Sequence, residues 1–333
     1  MGDAARLLLG LACVLGSSWL FTEGLEWLGV RLRLPSAALG TVFAALGTAL
    51  PEASIAVLAA LVRGPGGGAA AGSAVSIGAV LGAPLLLSTL GFMVLGIGAL
   101  RAGRRQLRIA PAAVRRDLLF FLCTFGAAAV IGVAGLPAGW RAVAAGLLGL
   151  AYALFVIATL SDGASAAAPA ERPRPLLLAF GAAAGADPTP GLIAFQLAIA
   201  VGLMVGGAEL FVHTLTRFAA VARVSGFVLS ALIAPLATEL PETLNSIVWI
   251  GRDRDALATG NVTGAMALQG AVIPALGLVF TPWRFSLEEA AAAALAVVGA
   301  ALVCFALSRE GHLRPWLLVS AGALYAAFVI WVL

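Results

Sequence analysis

Charge is scarce in this sequence. Of its 333 residues only 11% are Asp, Glu, Lys or Arg, and lysine is absent, so all twenty basic residues are arginine. Soluble domains carry about a quarter charged residues, which excludes a water-facing surface over most of this chain. The three cysteines lie inside apolar runs without Cys-x-x-Cys spacing. That excludes a disulfide framework or a zinc site and leaves Cys13, Cys123 and Cys304 as small apolar packing residues. There are two histidines and neither a Gly-x-Ser-x-Gly nor a His-Glu-x-x-His pattern, so hydrolase chemistry has no carrier, and the chain reads as neither an enzyme nor a cofactor binder. The glycine-rich "RGPGGGAAAG" has no following Gly-Lys-Ser/Thr; it reads as a flexible loop rather than a phosphate cradle.

What is abundant is apolar sequence, at 62% of residues. Runs near or above the roughly 20 residues that cross a bilayer recur along the chain, at about 6–28, 36–62, 70–98, 117–136, 140–161, 190–216, 225–250, 258–281, 286–308 and 315–333. The chain is therefore expected to be an all-α integral membrane protein of ten transmembrane helices. The first run carries Glu23 and Glu26, continues past Trp27 and has no small-residue cleavage site, so it reads as a retained helix. Fourteen of the arginines fall in the loops after runs 1, 3, 5, 7 and 9, against six elsewhere. Such scattered arginines are topology signals rather than a nucleic-acid surface, and they place both termini outside the cell membrane.

The chain is written twice. "RLPSAALGTVFAALGTALPEASIAVL" from Arg33 aligns without gaps to "RVSGFVLSALIAPLATELPETLNSIV" from Arg223, with Thr48/Thr238, Leu50/Leu240, Pro51/Pro241 and Glu52/Glu242 among the identical pairs. "GAVLGA" from Gly78 similarly matches "GNVTGA" from Gly260. The polar, proline-containing stretch from Ser161 separates the halves, giving a first repeat over 1–160, a linker over 161–189 and a second repeat over 190–333. Five helices per repeat is an odd number, so the repeats are inverted. Inverted repeats with proline-interrupted helices at equivalent positions point to a transporter with its site at the repeat interface.

The chemistry sits at those interruptions. Proline cannot donate the helical hydrogen bond, so Pro51 and Pro241 are expected to bare the carbonyls of Gly47 and Ala237. Thr48 and Glu52, like Thr238 and Glu242, are four apart and share a helix face. Hydroxyls, carboxylates and carbonyls together suit a hard cation such as Ca²⁺ or Na⁺. Charged residues at a helix centre cost roughly 2.5–3.5 kcal/mol each, so Glu52, Glu239 and Glu242 together cost on the order of 8–10 kcal/mol unless something pairs with them. Asn245 and Asn261 either satisfy broken backbone or line the site.

"GTALPE" (Gly47 to Glu52), "ATELPE" (Ala237 to Glu242) and "TGNVTGA" (Thr259 to Ala265) resemble the two alpha-repeats of the cation/Ca²⁺ exchanger superfamily, as in the sodium/calcium exchangers. The resemblance implies that Glu52 and Glu242 bind the transported metal ion, that Thr48 and Thr238 contribute hydroxyls, and that Ala45 and Pro235 contribute carbonyls. The chain also departs from the pattern. The usual serine after the motif threonine is Ala49 in one half and Glu239 in the other, the later serines are Ala83 and Ala265, and the polar position five residues after the second glycine is Leu87 in one half and Gln269 in the other. Glu239 and Gln269 thus join the candidate cation ligands. Glu23, Glu26, Glu209 and His213 sit near the ends of runs one and six; they read as interfacial or helix-joining residues, though the resemblance implies that these two helices slide to gate access. The function expected is a secondary antiporter that exchanges Ca²⁺ or a similar inorganic cation against Na⁺ or H⁺ by alternating access; a passive cation channel or a transport-inactive sensor is the alternative.

Overall fold

The computed structural model describes residues 2–48, 70–163, 187–221, 231–232, 235–236 and 239–332. Among these residues the regular structure is entirely helical: α1 (Asp3–Leu32), α2 (residues 36–48), α3 (residues 70–101), α4 (Pro111–Ala134), α5 (Ala138–Gly163), α6 (Pro190–Val221), α7 (Leu240–Gly251), α8 (Asp255–Phe280), α9 (Leu287–Glu310) and α10 (Pro315–Val332). Eight of them are long and apolar enough to cross a membrane. The other two are α2 and the 12-residue α7. Much of the apolar runs at 36–62 and 225–250, to which they belong, lies outside the described residues.

Local sequence sets the helix ends. Helix α1 stops where Arg33 turns left-handed at φ 53, two residues before Pro35. Helix α4 opens on Pro111 and closes on Gly135 at φ 65, a left-handed position that glycine occupies without a Cβ clash. At the start of α9 the Ser286 hydroxyl and the Glu289 carboxylate cap each other's backbone N–H, and Gly311 closes the helix. Helices α2 and α3 each contain a π-helical turn, Leu39–Ala44 and Leu87–Gly91. Residues 231–232 are π-helical too, and they are the counterparts of residues 41–42 in the alignment of the two halves.

Helix α8 is the centre of the bundle. It is buried along almost its whole length and packs against α2, α3, α4, α5 and α7. Apart from Asp255, Asn261, Gln269 and its threonines its enclosed length is apolar or small, as a helix surrounded on all sides requires. The spacing Gly260-x-x-x-Gly264 allows close backbone approach: a Cβ on Gly264 would lie 2.2 Å from the carbonyl oxygen of Thr41. Helix α2 therefore crosses α8 backbone to backbone, and its Ala45–Thr48 stretch packs against α8.

The outer helices present apolar side chains outward, among them Leu147, Leu150, Leu154 and Ile157 of α5 and Phe195 and Leu203 of α6. Exposed apolar residues at these positions suit a lipid surround. Helix α1 lies along α6, where the Gln196 side chain donates to the Leu20 carbonyl at 2.9 Å. Cys304 is buried, Cys13 half-buried and Cys123 exposed. On one face of the molecule Arg104, between α3 and α4, bonds Asp253 and reaches Asp255 at 3.1 Å in the α7–α8 connection. The guanidinium holds the exposed Asp253 carboxyl below the usual carboxylate range.

Candidate cation-binding site

The site is built where α7 begins. Pro241 stands in the first turn of α7, the one helical position where its missing N–H costs nothing. Glu239 is the N-cap, yet its side chain does not cap the helix. It is buried, and its Oε1 accepts a hydrogen bond from Gln269 Nε2 of α8 at 3.0 Å. Glu242, in the first turn, is fully buried. Both carboxylates sit at the positive end of the α7 dipole, which contributes typically 0.3–1 kcal/mol per charge near a helix start and offsets part of their burial cost.

Helix α8 braces this turn a second time. Asn261 Nδ2 donates to the Glu242 carbonyl at 3.1 Å and to Ser246 Oγ at 3.3 Å, while the single Ser246 hydroxyl hydrogen is shared between the Glu242 carbonyl at 2.7 Å and the Ala258 carbonyl at 3.2 Å. Asn261 therefore has the backbone-satisfying role. Asn245, also buried, makes no hydrogen bond among the described residues through either amide atom.

The remaining sequence-derived residues are placed unequally. Glu52 and Thr238 lie outside the described residues, as does Ala237, whose carbonyl Pro241 was expected to bare. Thr48 closes the described part of α2. Ala45 is buried in α2. Pro235 is buried against α3, where a Cβ on Gly82 would lie 2.5 Å from its Cγ. Its carbonyl accepts the Glu239 N–H at 2.9 Å, and a carbonyl oxygen has a second lone pair for a further partner.

Two charged groups near the site escaped the sequence reading. Asp117 of α4 is fully buried and its Oδ2 accepts from Thr41 Oγ1 of α2 and Thr263 Oγ1 of α8, both at 2.8 Å. Its Oδ1 faces Arg116 Nη2 at 3.0 Å, and that guanidinium lies over the Phe155 ring at 5.4 Å. One carboxylate thus ties α2, α4 and α8 together. At the far end of α7, Arg252 lies 3.5 Å from each of Glu23 and Glu26 of α1 and 4.9 Å above the Trp19 ring, with Trp19 Nε1 donating to Glu23 at 2.9 Å. Glu23 and Glu26 thus join helices, whereas Glu209 and His213 are exposed on α6.

This arrangement matches known proteins along almost its whole length. The family profile described as sodium/calcium exchanger protein covers residues 3–161 and 192–333. The chain belongs to the sodium/calcium exchanger family. As a member it is a secondary-active cation antiporter, and the channel reading falls away. Among relatives of this exchanger chain, an uncharacterized membrane protein of Methanocaldococcus jannaschii, MJ0091, is 25% identical over 307 residues, covering 90% of this chain and 88% of the relative. A putative antiporter, CaxA, of Alkalimonas amylolytica is 24% identical over 329 residues, covering 97% and 95%. The sodium-calcium exchanger NCX_Mj soaked with 2.5 mM Na⁺ and 0.1 mM Sr²⁺ superposes with a TM-score of 0.73 at 21% identity, covering 98% of each chain. Its form soaked with zero Na⁺ and Ca²⁺ gives 0.72, covering 99% of each. The exchanger fold is thus shared from end to end.

Proposed function

We propose that this exchanger moves Ca²⁺, or a similar hard cation, against Na⁺ or H⁺ by alternating access at a site between two inverted five-helix repeats, 1–160 and 190–333, joined by a linker over 161–189. The observation that carries the reading is the buried pair Glu239 and Glu242 at the opening of α7, held against Gln269 and Asn261 of α8. Carboxylate and amide oxygens of this kind suit Ca²⁺ rather than a soft metal. On this reading the repeated Thr-x-Leu-Pro-Glu makes Glu52, Thr48 and Thr238 ligands of the same ion, with the carbonyls of Ala45 and Pro235. The π-helical geometry at both 41–42 and 231–232 supports equivalence of the two halves. The printed names of the relatives, a sodium-calcium exchanger and a putative antiporter, point the same way.

Reconstitution into liposomes tests this. Radiolabelled calcium should accumulate against its own gradient when an opposing Na⁺ or H⁺ gradient is imposed, and varying the two separately identifies the counter-ion. Calcium flux that only dissipates its own gradient, whatever Na⁺ or H⁺ gradient is applied, would sink the exchange reading.

The arginine bias further places both termini outside the cell membrane and the linker inside. A cysteine introduced at Ala168 should stay unlabelled when intact cells meet an impermeant thiol reagent, and should react once the cells are opened. Labelling in intact cells reverses the orientation.

A further inference from the structure

The reading of Glu242 as a cation ligand is the footing for one more assignment on the same helix. On a helix of 3.6 residues per turn Glu242, Asn245, Trp249 and Arg252 fall within about 80° of one another, so they form one side of α7 and its end. Ser246 lies toward the other edge of that side, where its hydroxyl reaches the Ala258 carbonyl of α8. Arg252 lies toward the opposite edge and meets Glu23 and Glu26 of α1. Asn245 therefore sits one turn beyond Glu242, on the edge turned from α8 toward α1.

Its state there is unusual. Asn245 is fully buried, and neither Oδ1 nor Nδ2 has a hydrogen-bond partner among the described residues. A buried amide left this way carries its full desolvation penalty. Asn261 of α8, the same residue type, shows how such a group is satisfied, through the Glu242 carbonyl and the Ser246 hydroxyl of α7. One turn past Asn245 the Trp249 indole N–H is likewise buried without a hydrogen-bond partner. An indole N–H only donates, so it serves a water or a carboxylate and never the ion itself. An amide oxygen, by contrast, is a hard ligand of the kind Ca²⁺ takes alongside carboxylates.

We propose that Asn245 is a further ligand for the transported divalent cation, its Oδ1 binding the ion one helical turn from Glu242 on the side that leads to Arg252. The amide is a neutral ligand, so it adds coordination without adding charge beside Glu239 and Glu242. It thereby gives the ion a next station along α7 where charge repulsion does not rise.

The test uses the purified chain, with thermal unfolding followed by tryptophan fluorescence over a CaCl₂ titration and radiolabelled calcium uptake in liposomes. Without calcium, Asn245→Leu should melt no lower than the parent, because a lone buried amide has been exchanged for an apolar group of similar size. Its half-saturating calcium concentration should rise about tenfold or more, the scale of one lost bond to a charged partner. Asn245→Asp, which keeps an oxygen at the position, should retain the calcium response. Half-saturation within about twofold of the parent in Asn245→Leu, or in Asn245→Ala where the leucine variant does not fold, overturns the assignment. Glu242→Gln is titrated in parallel. If it has lost its response while Asn245→Leu keeps the parent's, Asn245 alone is wrong; if the parent itself does not respond to calcium, both readings fall together.

Discussion

Glu242→Gln is expected to abolish cation exchange while leaving a protein that inserts, folds and elutes as the parent does. The carboxylate is fully buried in the first turn of α7, and hydrogen bonds through its backbone carbonyl, Ser246 and Asn261 lock this turn to α8. The amide is nearly isosteric, so those bonds survive. What is lost is half the negative charge that Glu239 and Glu242 offer a divalent ion. Glu52→Gln should behave alike if the first half contributes to the same site. The comparison is between gradient-driven calcium uptake in liposomes and the elution profile of the same preparation. Near-normal uptake by either variant refutes the shared central site.

Asp117→Ala should instead unfold the protein more readily. Removing that carboxylate strips the acceptor from Thr41 and Thr263 and the counter-charge from Arg116 in one step. Leaving a buried hydroxyl without its acceptor costs about 1–3 kcal/mol, and Thr41 and Thr263 are both buried. The loss should appear as a clear fall in melting temperature in detergent. Asp117→Asn should recover part of it, since its carbonyl oxygen can still accept from the two hydroxyls. A melting temperature equal to the parent's in Asp117→Ala would mean that the three helices do not depend on this tie.

These two residues mark what was legible in the sequence and what was not. Glu242 stands in a motif written twice, and a charged residue at the middle of an apolar run is visible without coordinates. The eight long helices were legible for the same reason, since apolar run length is set by bilayer thickness. Pro241 was read as a break in a helix, and the structure places it at the start of one. Asp117 opens an apolar run beside Arg116, a place where a charge signals nothing by itself. Its two threonine partners lie 76 and 146 residues away, so no local spacing announces them. Arg252 was likewise counted as a topology signal, and only packing shows it between Glu23 and Glu26. The asparagines were a matched pair in sequence. They differ because the Asn261 amide of α8 reaches the α7 backbone at Glu242 while Asn245 bonds no described residue, a fact of tertiary geometry.

The Arg252 cluster gives α7 a mechanical property. Its guanidinium is almost enclosed, held by two carboxylates and an indole that all belong to α1, and α1 is itself laid along α6. If α1 travels along its axis relative to α7, Arg252 must follow, gain water or remain as a stranded charge, and the last costs about 3–5 kcal/mol. The cluster is therefore a detent. Small displacements of the α1–α6 pair are resisted by the ion pairs, and a large one requires water to reach Arg252 at the same moment, so that slippage of the outer pair and wetting of the foot of α7 become a single event.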